Sequence, residues 1–319
     1  MGISGLERVV EKLLVQSIGI SRSRQATQAK VDGLAPRSRE ADAESFAMHS
    51  CIVALADFQG MVLREIASCA REYVLWLALS EKIGNLEQGL EFLREGAVEA
   101  RRDGVRHRLQ AYAISALISE LDARRERLRE ARDRTMVDLS ERLGEPLGVT
   151  SAFLRGHALP QTPAGRPHEG TPAQILARRP DLIAAMHAME ASRLNPGLPG
   201  VPDAVEAKLA LEQATLRAHC EIERAMRSYQ AKITEIVPLR AGLAALEAFS
   251  RRLSEVADSG ASALPERIRQ AYERYLRKDR EIDVRGGSYL AAIDLYEAIG
   301  AGWESGRYEH EAASDGLSA

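Results

Sequence analysis

The stretch ARRPDLIAAMHAMEASR, Ala177–Arg193, has the pattern of a helix that opens at a defined residue. Pro180 suits the first helical turn, where its missing N–H removes no hydrogen bond, and Asp181 lies where the helix dipole favours negative charge. Apolar residues then recur on one helical face, at Leu182, Ile183, Met186 and Met189. The stretch therefore predicts an amphipathic helix that ends near Arg193.

The composition of the whole chain also favours helices. Of its 319 residues, 45% are hydrophobic but only 5% are aromatic, and Ala, Leu, Glu and Arg are abundant. Strands depend on β-branched and aromatic residues, so an all-α protein is predicted. The net charge is −3 with both signs interspersed. No basic stripe points to nucleic acid as a partner.

Apolar spacing predicts long helices on both sides of this stretch. A run of nearly 60 residues from Phe46 contains no proline, and a helix of that length would extend on the order of 85 Å. Such lengths indicate an elongated antiparallel bundle of long helices. The predicted helices are 5–30, 46–103, 105–143, 204–258 with an interruption at Pro238, and 265–299.

Polar segments rich in Gly and Pro separate these helices. Val31–Ser45 and Leu194–Asp203 are predicted linkers, and Gly144–Thr171 is a predicted extended connector. A membrane β-strand needs about 9–11 alternating residues, and a hairpin needs about twice that. Neither linker supplies such a pattern, so transmembrane strands are not expected. The residues after Trp303 are predicted to be a frayed tail.

The two halves of the chain align when one is shifted by about 156 residues. Gly104 then falls on Gly260, and Gly144 falls on Gly300. Coincident turn and stop glycines at one offset indicate an internal repeat. The predicted organisation is a first helical repeat over 1–144, a linker over 145–172, a second helical repeat over 173–303 and a disordered tail over 304–319.

RRPDL followed by an Ala-rich helix resembles the opening of the second repeat in the outer membrane factors, the TolC-like and NodT-type efflux proteins. LYEAIGAGW at Leu295–Trp303 is similar to the segment that closes their chains. The resemblance covers about residues 5–30, 46–144 and 173–303. It marks five structural motif positions: Arg179, Pro180, Asp181, Gly300 and Trp303. No rule of helix formation singles out RRPDL, so its weight comes from the resemblance.

The resemblance implies a passive helical conduit for small molecules in a tripartite efflux system. It implies a homotrimer that works with a periplasmic adaptor protein and an inner-membrane pump, without cofactor or catalysis. The two hairpin tips of the family carry a motif that meets the adaptor. It maps here onto Arg102, Gly104, His107, Gly260 and Ser262, with His107 in place of the usual Ser or Thr. A plain turn between two helices is the alternative for both tips.

No motif of catalysis or metal binding stands out. The seven histidines form no HxxxH or HExxH pair, and Cys51, Cys69 and Cys220 form no CxxC pair. Met186, His187 and Met189 are predicted to belong to a packing face. The sequence contains no nucleophile elbow, phosphate loop or dinucleotide fingerprint. We therefore expect neither a metal site nor an enzyme.

Three interpretations of the chain remain open, and they differ in location. The start of the sequence has neither the apolar core of a signal peptide nor a cysteine for lipidation, and no segment approaches 18 uninterrupted apolar residues. The resemblance implies the cell envelope, in the periplasm or at the outer membrane. The alternative is a soluble helical scaffold derived from the same family that has lost transport, with the cytoplasm as its alternative location. A decaying gene that has lost its strands is a third reading.

Overall fold

The computed structural model describes residues 4–33, 41–102, 105–162, 164–165, 177–194, 202–257 and 264–300. Over these residues the chain forms helices and no strand, which confirms the all-α prediction. The helices of the described residues are α1 Ser4–Gln16, α2 Ile18–Gly33, α3 Ala41–Arg102, α4 Val105–Leu143, α5 Leu147–Leu154, α6 Pro180–Leu194, α7 Ala204–Ala257 and α8 Leu264–Ala298.

Most predicted boundaries lie within a few residues of the observed ones, but the first predicted helix is divided at Ser17. The hydroxyl oxygen of Ser17 accepts a hydrogen bond from the N–H of Ile20 at 3.4 Å, three residues further on. This is the geometry of an N-cap, which satisfies one of the N–H groups left free at a helix start. The serine therefore ends α1 and begins α2, although the apolar spacing continues across it.

The predicted extended connector contains a helix, α5. Pro146 precedes it in an extended conformation with φ −60° and ψ 143°, and the Pro146 carbonyl accepts the N–H of Val149 at 2.9 Å. Thr150 and Leu154 are its buried residues. Eight residues are too few for apolar periodicity to distinguish a helix from a loop, which is why the sequence did not reveal it.

Pro238 does not interrupt α7, contrary to the prediction. A proline inside a helix leaves the carbonyl four residues earlier without its usual donor. Here both Pro238 and Thr234, which carries that carbonyl, are exposed. Water can reach the carbonyl, so the helix continues.

The chain divides into two compact units, each assembled from separate segments. Unit 1 comprises Met1–Val9, Ala70–Ala164 and Tyr229–Leu290, and unit 2 comprises Val10–Cys69, Gly165–Ser228 and Ala291–Ala319. These units are defined by spatial packing, whereas the predicted repeats are defined by sequence similarity. The repeat boundaries therefore stay a prediction.

Unit 1 has a core of buried leucines from α3, which pack with residues of α4 and α8. Leu86 and Leu90 are fully buried, and Leu121 of α4 and Tyr275 of α8 join them. Gly89 lies opposite Tyr275, whose ring would be 3.6 Å from a Cβ at that position. A glycine in α3 therefore makes room for an aromatic side chain of α8.

Unit 2 uses alanines where its helices approach each other. Leu182 of α6 packs against Ala214 and Ala218 of α7. Further along α7, Ala225 packs against the end of α8, with the side chains of Leu295, Ala298 and Ile299. Short side chains allow close packing of helices, so these contacts fix the start of α6 and the end of α8 on α7.

Glycine caps end α4 and α8 in the same way. Gly144 has φ 66° and Gly300 has φ 65°, values that favour glycine. The N–H of each donates to the carbonyl three residues earlier, over 3.2 Å to Glu141 and 3.1 Å to Glu297. Both helices therefore stop at a left-handed glycine cap, and the two caps are 156 residues apart, the offset of the predicted repeat.

One helix in the described part of the chain, Ala43–Arg101 within α3, is long and apolar enough to cross a membrane by length and composition. The expectation that the chain has no transmembrane helix rested on uninterrupted apolar runs, and polar residues such as Asp57 do interrupt this one. A core helix of a soluble protein has the same character. This feature alone does not establish a membrane span.

Candidate functional site

The predicted hairpin tips fall mainly outside the described residues. α3 ends at Arg102 and α4 begins at Val105, so Gly104 lies between described segments, as do Gly260 and Ser262 after α7. His107 lies on α4, but its side chain and that of Arg102 are not among those described. Adaptor contact at these residues stays a prediction.

In unit 2, motif residues pack together with residues from outside the motifs around Arg179. We call this group the Arg179 cluster; it consists of Arg179, Asp181, Glu221, Gly300 and the carbonyl of Ala298. Arg179 is only 7% exposed. Its Nε and Nη2 donate to the two carboxylate oxygens of Asp181 at 3.0 and 2.8 Å. Nη2 also donates to Glu221 of α7 at 2.7 Å. The cluster ties the start of α6 to α7.

Arg179 also closes the end of α8. Its Nη1 donates to the carbonyl of Ala298 at 2.6 Å. The last carbonyls of a helix have no partner within the helix, and a buried one is costly when left unpaired. The guanidinium of the RRPDL motif therefore satisfies a carbonyl beside the C-terminal motif, 119 residues further along the chain.

Gly300 makes the close approach possible. A Cβ at this position would lie 3.1 Å from the Cα of Arg179 and 3.2 Å from the carbonyl oxygen of Arg178. Both are backbone atoms that cannot rotate away. Together with its φ of 65°, this contact gives Gly300 two independent reasons to be glycine.

Pro180 and Asp181 open α6 as the sequence predicts. The Arg179 carbonyl accepts the N–H of Ile183 at 3.0 Å, which forms the first turn. Pro180 is buried and lies close to α3, because a Cβ added to Gly60 of α3 would be 3.6 Å from the Cβ of Pro180. The proline therefore presets the helix start and also packs against α3.

The electrostatics of the Arg179 cluster favour the charged forms of its groups. Burial raises the pKa of Asp181, but the hydrogen bonds and charge of Arg179 outweigh it, so this pKa lies below its ordinary 3.8. Burial likewise lowers the pKa of Arg179, and hydrogen bonds to Asp181 and Glu221 raise it more. Each guanidinium nitrogen has a protein acceptor. The cluster is therefore structural rather than a ligand-binding site.

A second set of buried charges lies in unit 1 and was not predicted. We call Arg285, Glu281 and Glu81 the Arg285 cluster. Arg285 is fully buried and donates to Glu81 of α3 at 2.5 Å, and it pairs with Glu281 of its own helix at 3.1 Å. Burial raises the pKa of Glu281, but its bond to Lys278 and the charge of Arg285 bring it below the ordinary 4.5.

Side chains of α7 and α8 bind the backbone of residues 159–162 and 164, which we call the connector. Arg285 donates to the carbonyls of Leu159 and Pro160 at 3.1 and 2.9 Å. Further bonds come from Arg240 to Gln161, Tyr289 to Thr162 at 2.9 Å, and Tyr229 to Ala164 at 2.9 Å. Successive carbonyls are thus satisfied by side chains rather than by a helix or sheet. This fixes an irregular segment in place.

Two adjacent glycines allow α8 to approach its neighbours beside Arg285. A Cβ at Gly286 would lie 3.3 Å from the Cβ of Ala78 on α3, and one at Gly287 would lie 3.3 Å from the side chain of Lys232 on α7. Glycine inside a helix costs about 1 kcal/mol relative to alanine. The RGGS sequence at 285–288 could have indicated this site from the sequence alone. Two adjacent glycines inside a helix are unfavourable unless a neighbouring helix packs closely against them.

Unit 2 also contains a contact between two histidines that are distant in sequence. The Nδ1 atoms of His49 on α3 and His187 on α6 lie 2.7 Å apart, and the ring centroids are 5.0 Å apart. The expected packing role of His187 thus involves a specific polar partner. Among the described residues, no group of three or more His, Cys, Asp or Glu side chains is placed to hold a metal ion.

No model of a known protein family matches the sequence, and no curated protein matches it. Solved structures do. The outer-membrane channel OprN is 16% identical, with 94% of this chain and 90% of that chain covered and a TM-score of 0.76. The MtrE outer membrane channel of Neisseria gonorrhoeae is 15% identical, with 93% and 89% covered and a TM-score of 0.72.

The CmeC outer membrane channel of Campylobacter jejuni is 12% identical, with 98% of this chain and 89% of that chain covered and a TM-score of 0.73. At such low identities the likeness is one of fold. It extends over nearly the whole chain. The fold that the RRPDL stretch predicted is therefore confirmed: this chain has the TolC-like helical fold of the outer membrane channels.

Proposed function

We propose that the chain is a member of the outer membrane factor family and forms the helical conduit of a tripartite system that exports small molecules. The observation that carries this proposal is the similarity to OprN, MtrE and CmeC over 93% or more of the chain. The RRPDL and LYEAIG motifs support it, since the Arg179 cluster joins them in one site. The proposed location is the cell envelope.

The proposed conduit needs neither a cofactor nor a catalytic centre. In the two charged clusters, Arg179 and Arg285 bond to carboxylates and backbone carbonyls. These side chains therefore stabilise the helices and the connector and do not face a reaction centre. Arg102, Gly104, His107, Gly260 and Ser262 are the proposed contact points for a periplasmic adaptor, through which the conduit would meet an inner-membrane pump.

A stripe of exposed apolar side chains on α7 supports self-association, with a homotrimer as the proposed assembly. Val205, Leu209 and Leu216 are 64%, 52% and 66% exposed. At 3.6 residues per turn they share one helical face, opposite the buried Ala207, Ala214 and Ala218. Exposed apolar stripes of this kind mark contact sites. A neighbouring copy would cover this one, which we call the α7 stripe.

The exposed side of α3 fits the same assembly. Only 22% of its most apolar 18-residue window is buried within the single chain. Met48 and Leu55, which lie seven residues apart on one face, are 55% and 47% exposed. In the proposed trimer, protein rather than lipid or water would cover this face.

The proposal is tested by compound accumulation in cells. Deletion of the gene in its source organism should raise the intracellular level of a fluorescent efflux substrate, and the wild-type gene should restore the original level. A double variant, Leu209→Glu with Leu216→Glu, should fail to restore it because charges on the α7 stripe prevent assembly. Ala210→Glu adds a charge at an exposed position of α7 outside the stripe and should complement normally.

Unchanged accumulation after deletion, with the protein recovered in the cytoplasmic fraction, would contradict the conduit proposal. It would favour the soluble helical scaffold, which shares the fold but needs no envelope location. Unchanged accumulation with the protein in the envelope would exclude only the substrate chosen, so a panel of chemically different dyes is needed.

A further inference from the structure

The His49–His187 contact in unit 2 has a strict proton requirement. The two Nδ1 atoms lie 2.7 Å apart, which is hydrogen-bonding distance, and both side chains are half-buried. A neutral imidazole has one N–H and one bare nitrogen, whereas the charged form carries hydrogen on both. One Nδ1 must therefore donate and the other must accept. The contact exists only while at least one of the two rings is neutral.

When the second ring of the pair also gains a proton, the hydrogen bond loses its acceptor nitrogen. Both Nδ1 atoms would then carry hydrogen and point at each other, and two positive charges would meet in a partly buried site. Like charges at such a distance destabilise each other strongly where water is partly excluded. The protons of such a pair bind in coupled steps rather than independently. Acid therefore weakens this contact when the second of the two rings becomes protonated.

We propose that the His49–His187 pair is a proton-binding switch, which holds α6 against α3 while at most one ring is charged and loosens this packing when both rings are charged. The ligand is the proton, and the element that responds is α6 in unit 2. The proposal does not depend on the proposed function, because it concerns one contact within the folded chain.

Charged groups on α6 and on the neighbouring helices of unit 2 occur with both signs. On α6, Glu190 favours a charged His187, but Glu190 is itself bound by Arg193 at 3.0 Å. On α2, Lys30 lines a groove with Asp57 of α3, so this side contributes both signs. On α7, which packs against α6, Lys208 and Glu212 form an exposed pair at 3.8 Å.

The direction of the pH dependence follows from the pKa of His187 in the packed state. Burial lowers the pKa of His187 below its ordinary 6.5, the charge of His49 lowers it further, and Glu190 raises it in part. In the packed state His187 therefore binds a proton less readily than when the rings are separated. By linkage, the contact is fully stable above about pH 6.5 and loses stability as the pH falls from 6.5 towards the lowered value.

The test is hydrogen exchange of the full-length protein at pH 7.5 and pH 5.0, corrected for the intrinsic effect of pH on exchange. We expect the protection of amides in α6 to fall at pH 5.0, by about tenfold for each unit by which the pKa is lowered. Protection of amides in α4, which lies outside unit 2, should stay constant. His49→Gln removes the second charge and should reduce the acid effect on α6 to the part that burial of His187 causes.

The control is His219→Gln, which removes an exposed histidine of α7 in the same unit and should leave the acid effect intact. Equal loss of protection in α4 and α6, or an undiminished acid effect in His49→Gln, would overturn the proposal. EDTA at pH 7.5 should change nothing. A loss of α6 protection on adding EDTA would overturn it in favour of a metal ion held between the rings.

Discussion

At the scale of the residue, Gly300 and Arg179 explain why two motifs far apart in sequence belong together. The backbone of Arg178 and Arg179 comes so close to Gly300 that no side chain fits there. In return, Arg179 satisfies the carbonyl of Ala298, at the end of the helix that Gly300 terminates. Each motif therefore completes the other. RRPDL has a physical role that the isolated stretch does not reveal.

Gly300→Ala should destabilise the protein strongly. A positive φ costs a residue with a Cβ about 1–2 kcal/mol, and overpacking against fixed backbone adds about 1–3 kcal/mol. Urea denaturation followed by circular dichroism measures the loss. Gly156→Ala is the matched control, because Gly156 has φ 82° but open space around it. If both substitutions had equal effects, backbone contact at Gly300 would not matter.

Asp181→Asn should weaken the protein at neutral pH and lose its effect in acid. The folded-state pKa of Asp181 lies below 3.8, so its stabilisation is present above pH 3.8 and is lost as the pH falls through the lowered value. Thermal melts of wild type and variant from pH 7 to pH 2.5 should therefore converge at the acid end. Glu212→Gln, in an exposed pair with Lys208, serves as a control that should shift the melting temperature little at any pH.

At the scale of the element, the connector (residues 159–162 and 164) shows how an irregular segment is kept in one place. Its carbonyls are bound by side chains from α7 and α8, and Arg285 supplies two of these bonds. The guanidinium is fully buried and also carries the charge that balances Glu81 and Glu281. The position of the connector therefore depends on a residue of α8 more than on its own sequence.

Arg285→Met should release the connector and destabilise unit 1. Removal of one partner from a buried ion pair costs about 3–5 kcal/mol, since the remaining charges are left uncompensated. Limited trypsin digestion should cut faster after Arg155, just before the connector, and hydrogen exchange of the connector amides should accelerate. Arg280→Met provides the control, because Arg280 is exposed and pairs with Glu235 at the surface. Equal proteolysis of the two variants would refute this role of Arg285.

At the scale of the whole molecule, the sequence was sufficient for the fold but not for its internal contacts. Glycines and prolines mark helix ends through local conformation, which is why the bounds of α4 were predicted as observed. The predictions at Ser17 and Pro238 were wrong because side-chain capping and solvent exposure, rather than apolar spacing, decide whether a helix continues at these positions. The charged and histidine contacts were not predicted because their partners are distant in sequence, with a separation of 204 positions for Arg285 and Glu81 and of 138 positions for His49 and His187.

The central claim for the molecule is that this TolC-like fold serves in an assembled conduit, and the native mass of the purified protein tests it most directly. Light scattering on a sizing column should give one species near three times 35.0 kDa. The Leu209→Glu, Leu216→Glu double variant should elute as a monomer, and Ala210→Glu should remain assembled. A monomeric wild-type protein, or assembly unaffected by charges on the α7 stripe, would contradict the account.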